Sequence, residues 1–162
     1  FGEPRAQVQE LMTRINAEAA VYQRKPAYNL SFRPIIGATE EEAWRKAKGI
    51  LAGVEAAGAG GKSRVPEAET ARRLMSLIDG GEVQDERLWV PIAAAAQGSG
   101  NSTALVGTAE QVAEAIATYY DMGVSGVLIR GFDPFNDAIE YGNELIPQIR
   151  EKVAARDAAL SA

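Results

Sequence analysis

The chain is 162 residues long with a net charge of −5, and it is 46% apolar and 24% charged, values ordinary for a globular domain. It has no cysteine and no histidine, which excludes disulfides, thiolate metal sites, a Cys nucleophile, a Ser-His-Asp triad and imidazole ligands within the sequence. The acidic balance, without a Lys/Arg stripe, argues against nucleic acid and anionic membrane as partners. No apolar run reaches membrane-spanning length and no signal-peptide pattern opens the chain, so a cytoplasmic location is expected.

Glu3 and Pro4 predict the start of a first helix, with Pro suited to the first turn and the acid near the positive end of the dipole. Val8, Leu11, Met12, Ile15 and Ala19 repeat at helical spacing, and the helix should fade near Gln23. "NLSFRPIIG" reads as a strand, with Ile35 and Ile36 buried on opposite faces as in a parallel sheet. Pro34 cannot donate to a ladder and should mark an end or irregularity of that strand. "TEEEAWRKAKGILAGVEAA" is a second helix with Thr39 and Glu42 in capping-box spacing. "PEAETARRLMSLIDGG" predicts a third, ending at Gly80 and Gly81. "RLWVPIAAAAQGSGNS" reads as irregular. Thr108 and Gln111 repeat the capping-box spacing ahead of a helix whose inner face carries Val112, Ile116, Tyr119 and Tyr120, and Gly123 stops it. "VSGVLIRG" is a short strand. Asp133 and Pro134 open a last helix, with Phe135, Ala138, Ile139, Gly142, Leu145, Ile146 and Ile149 expected inward and Pro147 expected to kink or restart it. Residues 155–162 read as a solvated tail.

Two strands separated by helices imply a parallel α/β sheet. Two alone leave open edges and an uncovered face, so the chain reads as part of something larger.

The ordered set "FGEP", "ATEEEAW", "GNSTALVGTAEQVAEAI", "YYDMGVSGVLIRGFDP" and "AIEYGNELIP" resembles the C-terminal half of bacterial-luciferase-like, flavin-dependent monooxygenases, and within them the alkanesulfonate monooxygenase branch. The resemblance implies α/β architecture, the C-terminal part of a (β/α)8 TIM barrel. Residues 1–154 would belong to that single domain. Phe1 and Gly2 would leave strand six, residues 30–37 would form strand seven, 39–102 would be a helical insertion acting as a lid, and 124–130 would form strand eight. Strands one to five would be absent. Reduced FMN would come from a separate flavin reductase, and O2 and a small-molecule substrate would complete the reaction. A homo-oligomer and the missing N-terminal half of the barrel are the implied protein partners.

Candidate site residues follow from both sources. Arg33 lies on a strand that otherwise reads as core, so it needs a partner or a polar pocket. With Arg130, at the C-terminal end of the last strand, it is the candidate catalytic pair, positioning an anion. Phe1, Phe132 and Asp133 are candidate substrate-binding residues, with Asp133 also a natural N-cap and Phe132 either core or pocket wall. Phe132 and Pro134 stand where the sulfonate branch often has Tyr and His, which makes that end of the pocket more apolar. In "QGSGNS", Gly98, Ser99, Gly100, Asn101 and Ser102 are candidates for the FMN phosphate, because small residues admit an anion to backbone N–H groups. "AAGAGGKS" approaches a nucleotide phosphate loop, but a helix precedes it where a strand should, so it reads as an insertion loop. Trp44 and Trp89 read as packing residues. No metal site is expected. Two other readings remain: a catalytically inert half-barrel acting as a complementing or oligomerising module, and a deazaflavin-dependent oxidoreductase of the same fold.

Overall fold

The structure is a computed structural model that describes residues 1–58, 69–95 and 103–161. Helix α1 (Arg5–Val21) follows Pro4, which has no side chain able to cap it. The acceptor comes from far away in sequence. The Arg5 amide donates to the carboxylate of Asp85, in the turn of a hairpin formed by β2 (Val83–Gln84) and β3 (Leu88–Trp89). Asp85 and Glu86 take left-handed φ values of 46° and 67° there, a conformation Asp tolerates better than most residues.

Strand β1 (Tyr28–Ile36) is the centre of the sheet, whose order is β2-β3-β4-β1-β5 with β4 at Ala104–Gly107 and β5 at Val124–Ile129. Both β4 and β5 run parallel to β1, as expected from the helical crossovers, while β3 runs antiparallel to β4. The two parallel neighbours are offset. β5 pairs with β1 from Tyr28 to Phe32, and β4 pairs with it from Arg33 to Ile36. Beside the first half of β1, Gly2 donates to the Ser31 carbonyl at 2.8 Å.

The alternation along β1 divides the core. Phe32 and Ile36 face α1 and helix α5 (Ala109–Asp121), in a cluster with Met12, Leu105, Ile116 and Tyr119. Ile35 faces helix α2 (Glu40–Gly58) and helix α4 (Pro91–Ala95), with Ala43, Ala47, Trp89 and Ile92. Burial of Ile35 and Ile36 on opposite faces is thus as anticipated. Trp44 and Trp89 meet edge-on at 6.1 Å, a packing arrangement.

Helix ends follow their signals. Thr108 and Gln111 form a complete capping box. At α2 the Thr39 hydroxyl accepts from the Glu42 amide, but the Glu42 carboxylate accepts from Ala38 rather than Thr39. Gly123 takes φ 101° at the end of α5. Asp133 caps helix α6 (Pro134–Glu140), accepting from the Phe135 and Asn136 amides. A π turn, Tyr141–Leu145, then leads into helix α7 (Ile146–Leu160). Pro147 has no N–H to give and its ring would crowd the carbonyl four residues back, so the widened turn satisfies the restart that Pro147 predicted.

Several expectations are corrected. Among the described residues the sheet has five strands rather than two, because strands two residues long, or four all-buried residues such as "ALVG", show no alternation to read. "RLWVPIAAAA" is not irregular, since it holds β3 and α4. Helix α3 (Glu69–Ser76) passes into a 3-10 turn, Leu77–Gly80, before Gly81. Phe135, Ala138, Ile139 and Gly142 do not face inward. Phe135 is 74% and Ile139 51% exposed, because no element of the described chain packs on that face. The C-terminal residues read as a solvated tail are exposed apart from the half-buried Arg156, and they are helical to Leu160, with Arg156 bonded to Glu114 and Asp121 on α5. The sheet formed by the described residues is open and does not by itself close a barrel.

Candidate functional site

The site grows from the place where β1 and β5 part. Their ladder ends at Phe32 and Ile129, with the Arg130 amide donating to the Phe32 carbonyl at 3.1 Å. Backbone groups point alternately to either side of a strand, so Pro34 presents its next carbonyl toward β5 and has no N–H to offer. The chain after β5 turns away at Gly131, and the Phe132 and Asp133 amides donate instead to the Asp137 carboxylate, at 2.6 and 2.9 Å. The Pro34 carbonyl accepts from the Tyr141 hydroxyl at 2.5 Å, and the Ile36 carbonyl accepts from Lys46 Nζ at 2.9 Å. A crevice outside the carboxyl ends of parallel strands is the general ligand position in α/β sheets.

Arg33 and Arg130 come together here. Both line a cleft of about 460 Å³ with Ile129, Gly131, Tyr141 and Ile146. Arg33 is half-buried, donates to the Gly131 carbonyl at 2.6 Å, and lies 5.0 Å over the Phe132 ring. Burial first, and then the charge of Arg130, push its guanidinium below its ordinary value, though a guanidinium stays charged at neutral pH. The charge of Asp137, which also accepts from two backbone amides, offsets part of that push. Two like charges converging in one cleft favour an anion between them.

Phe132 joins the α2 side of the core and walls an adjoining cleft of about 340 Å³, lined also by Pro34, Ile36, Lys46 and Tyr141. Asp133 is exposed and serves α6 as its cap, with Asn136 holding its carboxyl below the ordinary range. Phe1 does not line the cleft of the two arginines. It packs on Leu74, Leu77, Val90 and Ala93, because Gly2 ties it to Ser31, on the opposite side of β1 from β5. Gly98, Ser99, Gly100, Asn101 and Ser102, expected at a phosphate, lie outside the described residues, as does most of "AAGAGGKS".

Three groups were missed from sequence. Glu40 accepts from Arg87 at 3.0 Å and from Gln111 at 2.9 Å beside the C-terminal ends of β1 and β4, and these bonds hold its carboxyl down to about 2. Glu3, a residue 4% exposed, takes through its carboxylate a two-pronged bond from Arg73 at 2.8 and 3.0 Å, tying α3 to the start of α1. Both are internally satisfied, and they build structure around the cleft. The third is Tyr141, whose signals were Pro34, a strand residue in need of a foreign partner, and Pro147, which demands an irregular helix before it.

The model of the luciferase-like monooxygenase family matches residues 1–126. The chain belongs to that family. Among solved structures, this luciferase-like chain is similar to riboflavin lyase (RcaE), determined with modified FMN and its substrate riboflavin. The TM-score is 0.61 and the identity 18%, covering 93% of this chain and 37% of that one. At that identity the likeness concerns the fold: the five-stranded sheet and its helices correspond to part of a luciferase-like TIM-barrel protein. The chain spans little more than a third of that protein's length. Among the described residues, no helix is long and apolar enough to cross a membrane.

Proposed function

We propose that this chain is the C-terminal part of the barrel of a reduced-FMN-dependent monooxygenase, acting with O2 and a separate flavin reductase on a small organic substrate. The observation that carries the reading is the pairing of Arg33 and Arg130 in one cleft floored by Ile129 and Ile146. Its volume falls within the range of about 300–1,000 Å³ common for small-molecule sites. FMN has an anionic phosphate and an apolar ring system, and the paired guanidiniums and apolar floor match both in kind. Reduced FMN, when bound, supplies the electrons that activate O2. The chain's own residues then have simpler tasks. Arg33, fixed by Gly131 and Phe132, presents a rigid donor fork. Arg130, just beyond the end of β5, adds a second charge. Ile129 and Ile146 exclude water. Phe132 and Pro134 make the neighbouring wall apolar, which suits a moderately hydrophobic substrate with one anionic group, organosulfur compounds among them.

The test is oxygen uptake with reduced FMN by the enzyme carrying both barrel halves, over a panel of sulfonates of increasing chain length. Arg33→Ala or Arg130→Ala should each raise KM roughly ten-fold or more, the effect of losing a charge-assisted hydrogen bond. Uptake unaffected by either variant would remove the arginines from the site. Activity with reduced deazaflavin and none with reduced FMN would reassign the cofactor.

A further inference from the structure

Tyr141 has been given no role of its own at the anion site, yet it stands between the two clefts. Its ring is 5% exposed and lines both the cleft of Arg33 and Arg130 and the one beside Lys46. It opens the π turn, closed by the Ile146 amide donating to the Tyr141 carbonyl, a distortion that recurs where a helix is adapted to a task. Its hydroxyl donates to the Pro34 carbonyl, the first β1 carbonyl on that side after the one that Arg130 satisfies. In a regular sheet the Phe132 amide would fill that place, and here it is turned to Asp137. The consequence falls on Arg33, the residue before Pro34. With the strands parted, its guanidinium reaches across to the Gly131 carbonyl and lies over Phe132. Burial raises the Tyr141 hydroxyl above its ordinary value, so it remains a donor across the working pH range.

We propose that Tyr141 is a positioning residue: its hydroxyl takes the ladder position beside Pro34 that β5 vacates, keeps the two strand ends parted, and thereby sets the Arg33 guanidinium facing the cleft. This rests on the reading of Arg33 and Arg130 as the anion site, and the experiment separates the two ideas.

The protein would be prepared as wild type, Tyr141→Phe and Arg33→Ala. Two quantities are read: the Arg33 Nε–H NMR signal without ligand, and the Kd of hexanesulfonate by calorimetry. Tyr141→Phe should move the Arg33 signal and weaken hexanesulfonate roughly five-fold, the scale of one hydrogen bond acting through a neighbour. An unmoved signal with wild-type affinity would overturn the proposal, even if the melting temperature fell, because that is the mark of a purely structural tyrosine. If the signal moves but hexanesulfonate binds wild type and Arg33→Ala alike, the anion site is wrong and the positioning role stands. Should Tyr141→Phe fail to fold, wild type labelled with 3-fluorotyrosine replaces it, its resonances assigned by substituting the other four tyrosines. The Tyr141 fluorine should then shift on adding hexanesulfonate and stay still in Arg33→Ala, and a resonance indifferent to hexanesulfonate in wild type would overturn the proposal.

Discussion

Glu40 shows how a single half-buried carboxylate can carry pH dependence. Arg87 and Gln111 favour its charged form, so the folded protein keeps it ionised down to about pH 2, against an ordinary value of 4.5. The unfolded chain binds that proton near the ordinary value. Unfolding therefore takes up a proton between these limits, and the contribution is fully present above pH 4.5 and lost as pH falls toward 2. Glu40→Gln should flatten the acid side of a plot of melting temperature against pH and leave the slope above pH 6 unchanged. At Gly2 the limit is steric. A Cβ there would lie 1.9 Å from the ring of Phe32, which is fully buried and has nowhere to move. Gly2→Ala should destabilise by about 2 kcal/mol, within the usual cost of overpacking, measured by urea unfolding.

Among the elements, the caps of α2, α5 and α6 were legible because each joins residues a few positions apart, unlike that of α1. Thr108→Ala should cost about 1 kcal/mol of stability, read by thermal melting of the two proteins. Central strand β1 and strand β5 were legible from their apolar runs, and the interruption at Pro34 from its missing donor. The hairpin of β2 and β3 was not. Two-residue strands have no period, and their stability comes from pairing with β4 and from Arg5, neither of which a local window contains. The outward face of α6 was misread for the opposite reason. Its apolar spacing is regular, but spacing reports that a face is apolar, not that this chain covers it. The site divides along the same line. Arg33 was visible as a charge in a core strand, whereas Tyr141 becomes meaningful only once Pro34, 107 residues away, is placed beside it.

For the whole molecule, the open sheet and the exposed Leu128, Phe135 and Ile139 belong together. We expect this chain alone, supplied with reduced FMN and substrate, to show no turnover, because an open sheet cannot enclose a flavin on all sides. Oxygen consumption coupled to product by the isolated chain would reject that. The paired change Phe135→Ser with Ile139→Ser should alter the chain's own stability by no more than about 0.5 kcal/mol, as for other exposed positions, yet lower activity when the chain is combined with the N-terminal barrel half that the proposed function requires. Unfolding curves and a complementation assay give the two readings.

Residues 1–5, FGEPR, collect partners spread from Arg73 to Tyr119. Arg73 reaches Glu3 across 70 residues, Asp85 takes the Arg5 amide across 80, Thr103 takes the Gly2 carbonyl across 101, and Tyr119 takes the Glu3 carbonyl across 116. Contacts so distant in sequence must wait for large loops to close, which slows folding. During synthesis, at about 5–20 residues per second, the segment emerges seconds before the four partners that hold it here. Helix α1 then spends several seconds as a nascent helix without its cap. In pulse-labelled hydrogen exchange during refolding, the Arg5 amide should gain protection after those of α5, because the carboxylate that caps it lies 80 residues away.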